Sequence, residues 1–171
     1  IRLVGLAGRE RAAFRAEGLD PCAWQAALDA GEPTHLDRLC ERLRASPAAC
    51  RIVVDCTADD APCELFEQLL AAGVSVVSAN KDLIARRGSE LEEAARASGR
   101  SLRFEAAVLA GVPVLGPLVE ELGASEVHEV RGIFNGTTNY ILSTMAADAR
   151  EYEDVLREAQ ARGYAEADRS E

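Results

Sequence analysis

Lysine is nearly absent from this chain: all but one of its nineteen basic residues are arginine, and Lys81 stands alone. Either an arginine-rich composition left one surface lysine by chance, or position 81 requires an amine. Basic residues as a group are also in deficit. The formal net charge of -10 works against the concentrated basic surface that a nucleic-acid or anionic-membrane partner would need. Cysteines number five, an odd count, with no Cys-x-x-Cys pair and no histidine at zinc-site spacing. That argues against a disulfide framework or a zinc centre and for a reduced, cytoplasmic compartment. No stretch approaches the ~20 uncharged apolar residues of a membrane span, and the apolar opening Ile1 to Gly8 is too short for a signal peptide. Internal repeats and low-complexity segments are lacking too. What remains is an ordinary globular composition: 171 residues with 48% hydrophobic content can bury one sizeable core, or one core and part of a second.

The pattern along the chain predicts an α/β protein. Ile1 to Ala7 reads as a buried strand, followed by a basic loop and short helical turn from Arg9 to Arg15. Helices are expected at Pro21 to Ala30, with Trp24 and Leu28 on one face, and at Thr34 to Ala45, where Leu36, Leu39 and Leu43 repeat at helical spacing. Strands and helices then alternate: Arg51 to Cys56, Ala61 to Ala72, Val74 to Ser78, Ser89 to Ser98 and Ser101 to Phe104, with Gly73 and Gly99 closing helices. This is the pattern of an open, doubly wound parallel sheet. Past Gly111 it changes. A helix from Pro113 to Leu122 is expected to lead into Glu126 to Phe134, whose polar–apolar alternation suggests a half-buried strand of a separate antiparallel sheet. Helices near Thr138 to Met145 and Glu151 to Arg162 follow, the last stopped by Gly163. The expected division is 1–111 and 112–171.

In open α/β sheets ligands bind beyond the carboxyl ends of the strands. Three ends offer polar residues: Asp55-Cys56-Thr57, Ser78-Ala79-Asn80-Lys81 and Phe104-Glu105, and a parallel sheet would turn them toward one crevice. The lone lysine therefore falls where chemistry is expected. Gly132 to Tyr140 forms a second constellation, a strand turning through Asn135-Gly136 into a helix start with threonines in the capping positions. Its backbone N–H groups could hold a carboxylate or phosphate, or it could be an ordinary capped turn. The third, Gly163 to Asp168, places Glu166 and Asp168 after a helix stop, where acidic residues are usually solvated.

Taken in order, Val-Asp-Cys-Thr (54–57), Ala-Asn-Lys (79–81), Glu-Ala-Ala-Val-Leu-Ala-Gly-Val-Pro-Val (105–114), Gly-Ile-Phe-Asn-Gly-Thr-Thr-Asn-Tyr-Ile (132–141) and Gly-Tyr-Ala-Glu-Ala-Asp (163–168) resemble homoserine dehydrogenase. The likeness is good over 51–171 and looser over 1–50, where Gly18 to Trp24 is similar to the dehydrogenase half of enzymes fused to aspartate kinase. The resemblance implies a truncated Rossmann-type nucleotide-binding domain followed by part of an α+β catalytic and dimerisation domain. It implies NAD(P)-dependent interconversion of L-homoserine and L-aspartate 4-semialdehyde, in a cytoplasmic homodimer of threonine, methionine and isoleucine biosynthesis. By position, Thr57, Asn80 and Lys81 would border the cofactor, with Lys81 also at the reacting carbon. Gly136, Thr137, Tyr164 and Glu166 would hold homoserine, Glu166 pairing its ammonium. Glu105, with backbone carbonyls at Val108, Ala110 and Val112, matches the family's structural monovalent-cation segment.

Two departures concern the ends. Gly5-Leu6-Ala7-Gly8 is not a Gly-x-Gly-x-x-Gly fingerprint, so Ile1 to Ala7 is expected to be the second strand of the parent fold, with the first strand and its glycine turn missing. The aspartate and second lysine that the family carries after its Gly-Tyr-x-Glu motif would lie past Glu171, and Arg169 stands where it usually has proline. A fragment, inactive by itself, is the expectation. Arg9, in Gly8-Arg9-Glu10-Arg11, favours NADP over NAD by offering a partner for a 2′-phosphate, unless this is simply a solvated basic loop. Two other functions fit the same residues: a non-catalytic binding or regulatory module, and another semialdehyde oxidoreductase with Cys56 or Cys63 as nucleophile, though His35 and His128 are remote in sequence from both.

Overall fold

The computed structural model describes residues 1–58, 63–109 and 111–165, with Cys63 described by its backbone alone. They form two compact units, Ile1–Ala107 and Val108–Glu171.

The first unit contains two three-stranded sheets. Its opening strand, β1 (Gly5–Ala7), pairs antiparallel with β2 (Arg11–Phe14), so the stretch expected to be a loop and helical turn is half of a hairpin. The hairpin closes through the Gly8 N–H, which donates to the Arg11 carbonyl at 2.8 Å. Arg11 is exposed and Ala12 buried, and pairing on both edges makes Arg-Ala-Ala-Phe a strand. After a 3₁₀ turn at Pro21–Ala23, capped by the Asp20 side chain, come α1 (Trp24–Asp29) and the short β3 (Glu32–Pro33) on the other edge of β2. Trp24 is exposed rather than packed inward. Gly31 sits where β2 crosses this connection so closely that a Cβ would lie 2.3 Å from the Ala12 carbonyl oxygen. Helix α2 (Leu36–Arg44) leads to the second sheet.

That sheet is parallel, ordered β4 (Ile52–Asp55), β5 (Ser75–Ser78), β6 (Leu102–Arg103), with Val53 beside Val76 and Asp55 beside Ser78. Its crossovers are α3 (Cys63–Ala71) and α4 (Lys81–Ser98). Gly73 and Gly99, at φ +81° and +64°, supply the left-handed residues that end them. Helix α4 begins eight residues earlier than periodicity suggested, because the Asn80 side chain caps it by accepting from the Leu83 N–H at 3.0 Å. The core gathers Phe66, Leu69, Leu70, Val74, Val76, Leu83, Leu91 and Ala95 between sheet and helices, with Cys40 from α2 at its margin. The opposite face of β4 is open, with Val54 66% exposed. β1 does not enter the parallel ladder: its only ladder partner among the described residues is β2.

Helix α5 (Glu105–Leu109) carries the chain into the second unit. There the helix expected over Pro113 to Leu122 is reduced to a π-type turn at Pro117–Glu121. Glu126 to Phe134 pairs with no strand among the described residues, and Val127, Val130, Ile133 and Phe134 are exposed. The alternation is present, but a strand exists only through its ladder partners. The antiparallel sheet of the described chain is β1-β2-β3 instead. Helices α6 (Gly136–Asp148) and α7 (Tyr152–Ala161) pack through Ile141, Val155 and Ala159, and Gly163 at φ +73° follows α7 as expected.

Leu70 is completely buried, so Leu70→Ala should lower the unfolding free energy by about 2–5 kcal/mol in urea titrations. Gly31→Ala forces backbone apart and should cost about 1–3 kcal/mol by the same measurement. A loss well under 1 kcal/mol at either position would contradict this packing.

Candidate active site

Parallel pairing brings the ends of β4 and β5 side by side, and four residues there join in a closed hydrogen-bonded ring. Asp55 is 4% exposed. Its Oδ1 accepts from the Thr57 backbone N–H at 2.9 Å and from the Thr57 hydroxyl at 2.7 Å. Its Oδ2 accepts from the Ser78 hydroxyl at 2.7 Å. Ser78 Oγ in turn accepts from the Asn80 backbone N–H at 3.1 Å, and Asn80 Nδ2 donates to Thr57 Oγ1 at 3.2 Å. The Asn80 side-chain oxygen is committed to the α4 cap, which turns its amide nitrogen toward Thr57. Lys81 follows as the exposed first residue of α4.

Thr57, Asn80 and Lys81, expected together from their strand-end positions, are therefore brought together. Asp55 and Ser78, polar residues of the same strand ends to which the sequence assigns no role, complete the ring. Cys56 is exposed at the same strand end, while the Cys63 side chain is outside the described residues. Arg9 is exposed in the hairpin turn between β1 and β2. Glu105 is half-buried in the first turn of α5, Val108 and Val112 are exposed, and Ala110 is outside the described residues. Among the described residues no three His, Cys, Asp or Glu side chains cluster to hold a metal ion, so any cation at 105–112 would depend on carbonyl oxygens.

In the second unit the start of α6 is capped by Asn135, whose side chain accepts from the Thr138 N–H at 2.8 Å; the threonines expected to cap lie inside the helix. This turns Thr137 so that its hydroxyl donates to the Tyr164 carbonyl. The Tyr164 ring meets Tyr140 edge-on, centroids 5.1 Å apart. Thr137, next to Gly136, and Tyr164 are thus in contact; Glu166 and Asp168 are outside the described residues. Behind them Glu158 receives the Tyr140 hydroxyl at 2.9 Å and pairs with Arg150 and Arg162. The hydrogen bond from Arg150, then that from Tyr140, holds the Glu158 carboxyl below its ordinary range.

A family model described as "Homoserine dehydrogenase, NAD binding domain" matches residues 1–105, and one described as "Homoserine dehydrogenase" matches 113–171. The chain belongs to the homoserine dehydrogenase family. Homoserine dehydrogenase of Corynebacterium glutamicum is 49% identical over 107 residues, 63% of this chain and 24% of that protein. The crystal structure of a homoserine dehydrogenase from Thiobacillus denitrificans superposes with TM-score 0.71 at 37% identity, over 91% of this chain and 35% of that one. A hyperthermophilic archaeal homoserine dehydrogenase in complex with NADPH gives TM-score 0.79 at 25% identity, over 98% of this chain and 53% of that one. The chain spans about a quarter of the length of the curated relatives it matches. Among the described residues no helix is long and apolar enough to cross a membrane.

The lowered Glu158 carboxyl contributes stability that is complete above the ordinary glutamate value of ~4.3 and is lost as pH falls through the lowered one. Stability–pH curves of wild type and Glu158→Gln should therefore lie apart near neutrality and converge in acid. Curves that stay parallel down to pH ~2 would remove Glu158 as the cause.

Proposed function

We propose that this chain supplies nucleotide-binding and substrate-binding parts of a homoserine dehydrogenase that interconverts L-homoserine and L-aspartate 4-semialdehyde with NAD(P). The observation that carries this is the Asp55–Thr57–Ser78–Asn80 ring, with Lys81 beside it, at the carboxyl ends of two adjacent parallel strands, the place where α/β sheets bind ligands. Residues 1–111 take the nucleotide role and 112–171 begin the substrate-binding and dimerisation role.

The residue set suits a nucleotide: a hydroxyl at Thr57 and an amine at Lys81 can meet ribose and carboxamide groups, while hard phosphate charge falls to arginine. When bound, the nicotinamide ring supplies the hydride acceptor for C4 of homoserine. As that hydride leaves, the C4 hydroxyl must shed a proton, and Lys81 either receives it or fixes the hydroxyl for another base. Thr137 and Tyr164, with Gly136, would present the pocket for the amino-acid end, and Glu166 would meet the ammonium. Arg9 would favour NADP through its 2′-phosphate, in line with the NADPH named for the archaeal relative. A structural monovalent cation at Glu105 and the carbonyls of 108, 110 and 112, a cytoplasmic location and a homodimer complete the proposal.

In the full-length protein Lys81→Ala should lower kcat for homoserine oxidation ~10²–10⁴-fold with melting temperature unchanged. Turnover near that of wild type would end the assignment. Arg9→Ala should raise KM for NADP roughly tenfold, the worth of one charge-assisted contact, and leave KM for NAD alone. Equal changes for both nucleotides would place the 2′-phosphate elsewhere.

A further inference from the structure

We propose that Asp55 is a positioning residue that fixes the direction of the Thr57 hydroxyl proton, so that Thr57 meets the nucleotide only as a hydrogen-bond acceptor. This rests on the nucleotide-binding function proposed above. An ionised carboxylate accepts and never donates, so both hydroxyls that reach Asp55 must point their protons at it. Thr57 Oγ1 has then spent its one proton. It also receives Asn80 Nδ2, which cannot be exchanged for the amide oxygen because that oxygen caps α4. One lone pair remains on the Oγ1 of a residue that is itself exposed. The ligand group it can meet is a donor, such as a ribose hydroxyl or a carboxamide NH₂. A phosphate or carbonyl oxygen would face a lone pair and be rejected. Asp55 thus acts on the site through the Thr57 hydroxyl, without reaching the ligand.

The test is a double-mutant cycle in the full-length protein, read by fluorescence titration with NADPH and by homoserine-dependent reduction of NADP. Asp55→Ala and Thr57→Val should each weaken NADPH about 5- to 10-fold, the scale of one hydrogen bond, whereas Asp55→Asn, whose amide oxygen can still accept from the Thr57 N–H and hydroxyl, should lose less than Asp55→Ala. The double variant should bind no more weakly than Thr57→Val alone, because Asp55 acts through that hydroxyl. Thr57→Ser should bind like wild type. Asp55→Ser, whose hydroxyl is one bond short of the carboxylate oxygen that holds the Thr57 proton, should repeat the loss even if Asp55→Ala folds poorly. Losses that multiply in the double variant, or undiminished affinity in both Asp55→Ala and Asp55→Ser, overturn the proposal. A wild-type protein that binds NADPH but does not oxidise homoserine would end the proposed function and leave the role of Asp55 standing. One that binds no NADPH overturns both.

Discussion

A buried carboxylate cannot be left without donors, and the region around the ends of β4 and β5 is arranged by that demand. Asp55 lies almost wholly out of water, where an ionised group costs several kcal/mol unless compensated. Three donors meet it, two from Thr57 and one from Ser78. Each comes from a residue at a strand end, so satisfying the charge also fixes two loops. In a parallel sheet such loops have no hairpin partner to hold them. The neighbouring connection is anchored through the backbone as well, because the Ala79 N–H donates to the Asp55 carbonyl at 2.9 Å.

From that anchor the order propagates along the chain. Ser78 holds the Asn80 backbone, Asn80 caps α4, and α4 then runs eighteen residues over the core, with Leu83 and Leu91 buried. Lys81 consequently occupies the first position of a helix, where the helix dipole disfavours a cation by ~0.3–1 kcal/mol. Asp82 in the same turn offsets part of this. A surface lysine with no role would have had many better positions on the exposed faces of α2 or α7, so both its scarcity and its location argue for chemistry at this amine.

The same physics decides what the sequence discloses. β4 and β5 are legible because Ile52-Val53-Val54 and Val76-Val77 are short β-branched runs ending on polar residues, and α2 because Leu36, Leu39 and Leu43 repeat at helical spacing. The start of α4 was hidden because its signal is a side-chain cap, not a periodicity: Lys-Asp-Leu-Ile-Ala-Arg-Arg-Gly carries few apolar residues and a glycine. β2 was hidden because Arg-Ala-Ala-Phe is short and basic, and its strand character comes from having neighbours on both edges. Glu126 to Phe134 shows the converse: alternation records which side chains want burial, but without a ladder partner among the described residues it makes no strand. The site divides similarly. Thr57, Asn80 and Lys81 follow from strand-end position, whereas the Asp55–Ser78 bond joins residues 23 apart and exists only once β4 and β5 are in register.

In the second unit a local strain is offset by contacts that also shape the Thr137 turn. Ala149 ends α6 at φ 50°, a left-handed conformation that costs a residue with a Cβ roughly 1 kcal/mol relative to glycine. The reversal it makes sends Arg150 onto Glu158 of α7, and Glu158 also takes the Tyr140 hydroxyl from α6, tying the two helices across the turn. Tyr140 is thereby held against the Tyr164 ring, and Tyr164 offers its carbonyl to Thr137. A helix reversal, a charged triad and an aromatic pair thus lie in series behind one threonine hydroxyl. Disturbing Ala149 or Glu158 should therefore be felt at Thr137 before it is felt in the apolar contact of Ile141 with Val155, because the polar links are only part-buried and the less redundant part of the packing.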